Sequence, residues 1–438
     1  MKKTDTPKVC DVYIVDGSRT PFLKSRGLPG DFSAADLAVA ACRDLLAYQP
    51  FSPEDLDEVV LGCVMPSPTE TNIARVVALR LGCGDHMPAY TVQRNCASGM
   101  QAIDDAYKDI AMGRHDLVLA GGVEAMSRAP LLFNESMVEW FANWMGAKTF
   151  FAKLGVLAKF KLKNFVPVIA LLKGLNDPLV GLSMGQTAEN LAYRFGIDRG
   201  SLDQYALESQ LRSARAIEEG FLSEVSTLYD PDGTYYESDT GVRPDSSLEK
   251  LAKLKPFFDK KFGRVTAGNS SQVTDGAACV LLASSYAVKR YGLKVLGKIQ
   301  DTHWAGCPPE EMGLGPVYAS TPMLQRQGLS LDDIDFWEIN EAFAAQVLAC
   351  MAAWHNKDYC QHYLGLQEAF GLIDRNRLNV DGGAIAVGHP VGASGARIVL
   401  HLLQVLRRHK AKRGVASICI GGGQGGAMLI ENVSEVTA

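Results

Sequence analysis

The 438-residue chain carries 44 lysines and arginines against 49 aspartates and glutamates, a formal charge of −5, with 47% hydrophobic and 21% charged residues. This composition supplies large cores, lacks the signature of disorder, and gives no general reason to expect a nucleic-acid partner, so any basic site must be local. The length suggests two or three structural units, and ten cysteines without a C-x-x-C pair fit reduced thiols better than a disulfide framework.

The chain begins "MKKTDTPKVCDVYIVDGSRTPF", reaching a strand-like "DVYIV" too soon for an export signal, and no apolar run is long enough to span a bilayer. A cytoplasmic location is the default expectation. Next come two β-branched apolar runs, "DEVVLGCVM" and "HDLVLAGGVEAMS", each meeting small residues or a helix-like segment, a pattern of α/β structure with covered strands. Between them lies "VQRNCASGMQAI". Met100, Ile103, Tyr107 and Ile110 then recur at helical spacing, which places Cys96 at a strand-to-helix turn. Helix N-terminal N–H groups and the helix dipole favour a thiolate and can hold an oxyanion, yet free cysteines are often inert core residues, so position alone permits either role.

Residues 129–250 differ in character and read as an excursion that covers a site. Lys148 to Lys173 contains six lysines, no acidic residue and many Phe, Leu and Val side chains, and Pro167 predicts two short helices there. "MGQTAENLAYRFG" and "SLDQYALESQLRSARAIEEGFL" have helical periodicity, while "LYDPDGTYYESDTGVRPD" reads as loop. The lysine-and-apolar stretch suits a membrane surface, a hydratase/dehydrogenase partner subunit, or simply a lid.

A second α/β pattern follows residue 290. "IDFWEINEAFAAQVLACMAAW" is a strand entering a helix with Asn340 at the junction. "GGAIAVGHPVGASGAR" sets His389 in a glycine-rich turn before a helix. "GVASICIGGGQGGAMLIENV" is a strand pair with Cys419 beside its glycine turn. An imidazole near a thiol can take its proton, an amide can hold a water, and glycines let backbone N–H groups approach a ligand. Cys350, His355, Cys360 and His362 are chemically able to bind zinc, but their spacing matches no usual structural site, and no metal is expected.

"NCASGMQA", "NEAFA", "GGAIAVGHPVGASGAR" and "CIGGGQGG", in that order, resemble the signature blocks of the thiolases, and "SRTPF", "GGVEAMSRAP", "MGQTAEN" and "RVTAGNSSQVTDGAA" extend the resemblance over nearly the whole chain. It implies a thiolase fold, with two similar βαβαβαββ halves in a five-layer α-β-α-β-α arrangement and an inserted loop domain. The expected units are 1–128 with 251–285, the insert 129–250, and 286–438. The resemblance implies that Cys96 takes the acyl group as a thioester and that His389 activates it. His389 with an Asn340-held water forms one oxyanion hole, the N–H groups of Cys96 and Gly421 form the other, and Cys419 exchanges the α-carbon proton. Ser271 matches a serine beside the pantetheine arm of coenzyme A, and Met184 belongs to the substrate-covering segment. Coenzyme A is then a substrate, with no bound cofactor, and a homodimer or homotetramer is expected.

Ser183-Met184-Gly185 resembles thiolases of longer acyl chains, and the insert resembles thiolase subunits of fatty-acid oxidation complexes; β-oxidation or acetoacetyl-CoA metabolism follows. A ketoacyl synthase would carry a second histidine at Cys419, and a non-catalytic acyl-CoA binder would lack one of Cys96, His389 or Cys419.

Overall fold

The computed structural model describes residues 10–230 and 232–433. The β-branched runs form strands Glu58–Gly62 and Leu117–Ala125, which lie parallel beside Ala89–Val92, while Thr274–Ser284 pairs antiparallel with Leu117–Ala125 on one side and with Val12–Arg19 on the other to complete the first half. The second half repeats the plan with Gly297–Gly306, Gln424–Glu431, Arg413–Ile420 and Phe336–Ile339. A parallel bridge from Trp337 to Leu378 stands where the first half has its Ala89–Val92 strand. The halves meet at their first strands, through the pairs Tyr13–Lys298 and Ile14–Gly297, so the sheet runs through the molecule.

Three apolar cores divide this sheet from its helices. Helices Ala34–Ala47 and Ile73–Arg80 cover the outside of the first half, and Gly315–Arg326 and Ala344–His355 the outside of the second. Between the halves, Ser98–Ala111 packs on Val391–Arg408, giving five layers. The central crossing is close because the sequence leaves it without side chains: a Cβ on Gly99 would lie 2.8 Å from the Gly392 carbonyl oxygen, and one on Gly395 2.6 Å from the Met100 nitrogen. Cys96 and His389 each lie just before one of these two helices, so the packing of the helices brings the two loops to the same end of the layers.

The insert departs from the sequence expectation around Pro167. Helices Glu135–Gly146 and Phe150–Ala158 precede it, but the residues after it form the short strand Val168–Ile169, paired with Leu131–Leu132, and then only a one-turn helix, Ala170–Gly174. The residue before a proline is pushed toward extended backbone, which favours that strand entry. The turn-rich segment after 228 contains a small hairpin, Leu228–Tyr229 with Tyr235–Tyr236. Met184–Arg194 begins with a Ser183–Gln186 capping box, which fixes Met184 at the first helical position. The four candidate zinc ligands do not converge. Cys350 and Cys360 are buried and donate to the carbonyls of Gly313 and Ala353, while His355 and His362 face solvent. Among the described residues no helix is long and apolar enough to cross a membrane.

Candidate active site

Cys96 leaves the Ala89–Val92 strand through a tight turn. Asn95 takes a left-handed backbone conformation, φ +42°, which asparagine tolerates better than most residues. The fully buried Ser98 closes the turn: its hydroxyl accepts from the Arg94 N–H at 2.9 Å and donates to the Asn95 carbonyl at 2.7 Å. The helix proper starts at Ser98, two residues beyond the cysteine. The backbone N–H groups of Cys96 and Gly421 lie close enough to the Cys96 sulfur to favour its charged form. These are the two groups that the resemblance assigns to one oxyanion hole.

The helix-terminus argument for an acidic thiol fails here. Burial pushes the Cys96 thiol up, the two N–H bonds only partly offsetting it, and the fully buried Cys419 is raised well above the ordinary thiol range. An ionised Cys96 would raise Cys419 further, which places the two sulfurs within reach of each other's charge. Neither thiol is held near neutrality. Both rest protonated.

His389 supplies the matching base. It is 6% exposed, and burial, aided by the positive charge of Arg397, depresses it to about 3, so it is a neutral imidazole at rest. The Ser394 hydroxyl donates to the Pro390 carbonyl at 3.1 Å and therefore accepts from Nδ1–H of His389 at 2.6 Å, leaving Nε2 as the accepting nitrogen. Nε2 lies 3.5 Å from Nδ2 of Asn340, whose own Oδ1 is buried without a partner. A buried amide oxygen in that condition is a natural anchor for a water O–H. The backbone of Asn340 is fixed to the Ser417 carbonyl, two residues before Cys419.

The flanking glycine loop completes the group. Ile420 pairs with Gln424 across a turn in which Gly422 and Gly423 have φ of +91° and +78°, conformations that favour glycine. Gly421 faces Met184, whose sulfur would lie 3.1 Å from a Cβ there. A cavity of about 500 Å³ opens between Cys96, the glycine loop and the insert, lined by Cys96, Gly421, Met184, Val64, Leu171 and Leu175 among others, with His389, Asn340 and Cys419 outside its lining. Ser271 is not part of that lining. It sits in a loop whose backbone ties the site together: its N–H donates to the Ala342 carbonyl, and the next residue, Gln272, accepts from the His389 N–H.

Two contributors were not singled out from the sequence. Glu124, fully buried at the end of the Leu117–Ala125 strand, accepts from the N–H groups of Val64, Met65 and Gly392, binding the cavity wall to the start of the His389 helix. Burial raises its carboxyl to about 7. The other is Ala170–Leu179, which lines the cavity and so does cover the site as the insert was expected to. Glu124 sits inside an otherwise apolar strand, a signal that could have marked it; the Ala170–Leu179 contact is tertiary and leaves no local pattern.

Residues 12–286 match the family model described as "Thiolase, N-terminal domain" and residues 293–432 that described as "Thiolase, C-terminal domain". The mitochondrial trifunctional enzyme subunit beta of Bos taurus is 37% identical over 97% of this chain and 89% of its own. A 3-ketoacyl-CoA thiolase of Yersinia enterocolitica is 36% identical over 96% of each chain. The crystal structure of human mitochondrial 3-ketoacyl-CoA thiolase in complex with CoA superposes with a TM-score of 0.83 at 38% identity, covering 97% of this chain and 99% of that one.

Proposed function

The chain belongs to the thiolase family, and on that premise we propose that Cys96 is its acyl carrier, His389 the base that frees the Cys96 sulfur, and Cys419 the acid/base at the α-carbon. The enzyme is an acyltransferase that acts on acyl-CoA and CoA, cleaving 3-ketoacyl-CoA thiolytically in fatty-acid β-oxidation. The observations that support the residue assignment are the Cys96 and Gly421 N–H groups close to the Cys96 sulfur at the cavity, and a neutral His389 imidazole whose Nδ1–H is held by Ser394 so that Nε2 is the accepting nitrogen.

In the cleavage direction His389 Nε2 takes the Cys96 proton as the sulfur attacks the 3-keto carbonyl. The carbonyl electron pair moves to oxygen, where the N–H groups of Cys96 and Gly421 receive it. The C2–C3 bond then breaks, and the resulting enolate takes the Cys419 proton to become acetyl-CoA. The incoming CoA thiol returns a proton to Cys419, attacks the thioester and leaves as the shortened acyl-CoA. Cys96 departs as thiolate and recovers its proton from His389. The elevated thiols fit this cycle, because each is charged only while substrate supplies the counterpart.

The acyl chain occupies the cavity toward Leu171 and Leu175. Its volume of about 500 Å³ falls within the roughly 300–1,000 Å³ of pockets that enclose whole small ligands. Burying one methylene is worth about 0.8 kcal/mol, so kcat/KM for CoA-dependent cleavage is expected to rise roughly fourfold per added methylene until the cavity is full. Assays of 3-ketoacyl-CoAs from four to sixteen carbons read this directly. A profile that peaks at acetoacetyl-CoA overturns it.

The insert serves a second purpose in this reading, as a contact with an anionic lipid surface. Phe150, Leu154 and Leu157 fall on one face of the Phe150–Ala158 helix and are exposed, as are Phe151 at 83% and Leu162 at 85%, all among lysines with no acidic residue from 148 to 173. Apolar side chains immersed beneath lysines that meet phosphate headgroups match that partner. Native protein should co-sediment with vesicles of phosphatidylglycerol and phosphatidylcholine, and replacing Lys159, Lys161 and Lys163 with glutamate should reduce binding at least about tenfold. Unchanged sedimentation removes the lipid reading and leaves a protein partner for this face.

A further inference from the structure

We propose that Asn95 is a positioning residue for acyl transfer, one that holds the Gly421 backbone in line with the Cys96 sulfur. Two separate features meet in it. Its left-handed φ of +42° turns the chain so that the next residue, Cys96, faces the glycine loop of the other half. Its side-chain Nδ2 then donates to the Gly421 carbonyl oxygen at 2.8 Å, across 326 residues of sequence. Gly421 has no side chain to lock its orientation, and the two glycines after it carry positive φ, so little else in the loop fixes the direction of its N–H. The bond from Asn95 fixes the peptide plane on one side of the Gly421 Cα, and the N–H on the other side lies close enough to the Cys96 sulfur to favour its charge. Gln93, which lines the cavity, donates from Nε2 to Oδ1 of Asn95 at 3.4 Å and limits rotation of the amide.

The proposal rests on reading Cys96 as the acyl carrier. When the sulfur attacks a thioester, the S–C bond forms and the carbonyl pair moves to oxygen. His389 holds the thiol proton until the departing CoA sulfur takes it. The new oxyanion needs the Gly421 N–H at that moment, whereas attack of the same sulfur on an alkyl halide creates no oxyanion. Asn95 should therefore matter far more to acylation than to alkylation, in which the Gly421 N–H only helps to hold the thiolate.

The test compares native protein with Asn95→Gly and Asn95→Asp, following acetyl transfer from acetyl-CoA to Cys96 by time-resolved intact mass and, separately, alkylation of Cys96 by iodoacetamide. Glycine keeps the backbone conformation and removes the amide. Aspartate keeps the shape but sets an acceptor against the Gly421 carbonyl. Loss of an oxyanion donor costs about 10²–10³ in rate, and misalignment less, so acetylation of Asn95→Gly should fall roughly 10–100-fold with KM little changed and alkylation within about twofold. Asn95→Asp should fall further. Native protein that is acetylated while both variants are acetylated at its rate overturns the proposal, as does an alkylation rate that drops in parallel with acetylation. Native protein that takes no acetyl group on Cys96 removes the underlying reading as well.

Discussion

Replacing Cys96 with serine is expected to lower CoA-dependent cleavage by at least about four orders of magnitude and to abolish the acylated protein, while leaving the fold intact. The site explains the size of the effect. A hydroxyl is far less acidic than a thiol, and the proposed base, His389, is held to about 3 by burial, so it cannot remove a hydroxyl proton at useful cost. The two N–H donors would remain in place, but nothing would deliver an oxyanion to them. Substitution of Cys419 by alanine separates the two thiols. That variant should still acquire an acetyl group on Cys96 from acetyl-CoA, yet lose exchange of the acetyl methyl protons with deuterated solvent. Intact mass and proton NMR of acetyl-CoA read the two outcomes. Full thiolysis by Cys96→Ser would falsify the nucleophile assignment.

Much of this arrangement was legible before any coordinates, because it is carried by short contiguous patterns. Apolar runs closed by small residues gave the strands, and the spacing after Cys96 gave the central helix. Asn340 follows a strand, His389 precedes a helix and Cys419 stands at the end of a strand, so their positions at one end of the layers could be read in order along the chain. The acidity of the thiols could not. The helix-terminus effect is local and visible in sequence, whereas the desolvation that outweighs it at Cys96 and Cys419 arises only when both halves and the insert close over the site. The same holds for Asn95, whose partner Gly421 is distant in sequence. It holds also for Ser271, whose visible role is a backbone bond to the Ala342 loop, its neighbour Gln272 holding the His389 loop.

The second large effect concerns stability, at a buried ionic chain that fastens the halves behind the catalytic loops. Arg19, on the first strand, forms two hydrogen bonds with Asp239 and lies 3.6 Å from Glu224. Glu224 meets His401 Nδ1 at 2.8 Å, His401 Nε2 meets Asp381 at 3.2 Å, and Asp381 binds Arg408 at 2.6 Å. His401 sits on the same helix that His389 precedes, so this chain anchors the base loop. Burial alone would neutralise His401, but Glu224 and Asp381 outweigh it and raise the imidazole to about 10; Glu224 is correspondingly drawn down to about 2, against its own burial, by His401 and Arg19.

His401→Ala leaves two buried carboxylates short of a partner and should cost about 3–5 kcal/mol. The pH dependence identifies the cause. A histidine raised from an ordinary 6.5 to about 10 stabilises fully below 6.5, and that contribution is lost as pH climbs through about 10. A glutamate lowered from 4.5 to about 2 stabilises fully above 4.5 and loses its share as pH falls through about 2. Together they give native protein a plateau between about 4.5 and 6.5 with a decline on the alkaline side. In His401→Ala that alkaline decline should vanish, and the acid loss should shrink because only Arg19 remains to hold Glu224 below its ordinary value. Denaturant midpoints from pH 3 to 10 measure both. A variant as stable as native at pH 6, with a parallel profile, would mean that the imidazole is spectator to the join and that packing of the two central helices alone holds the His389 loop against Cys96.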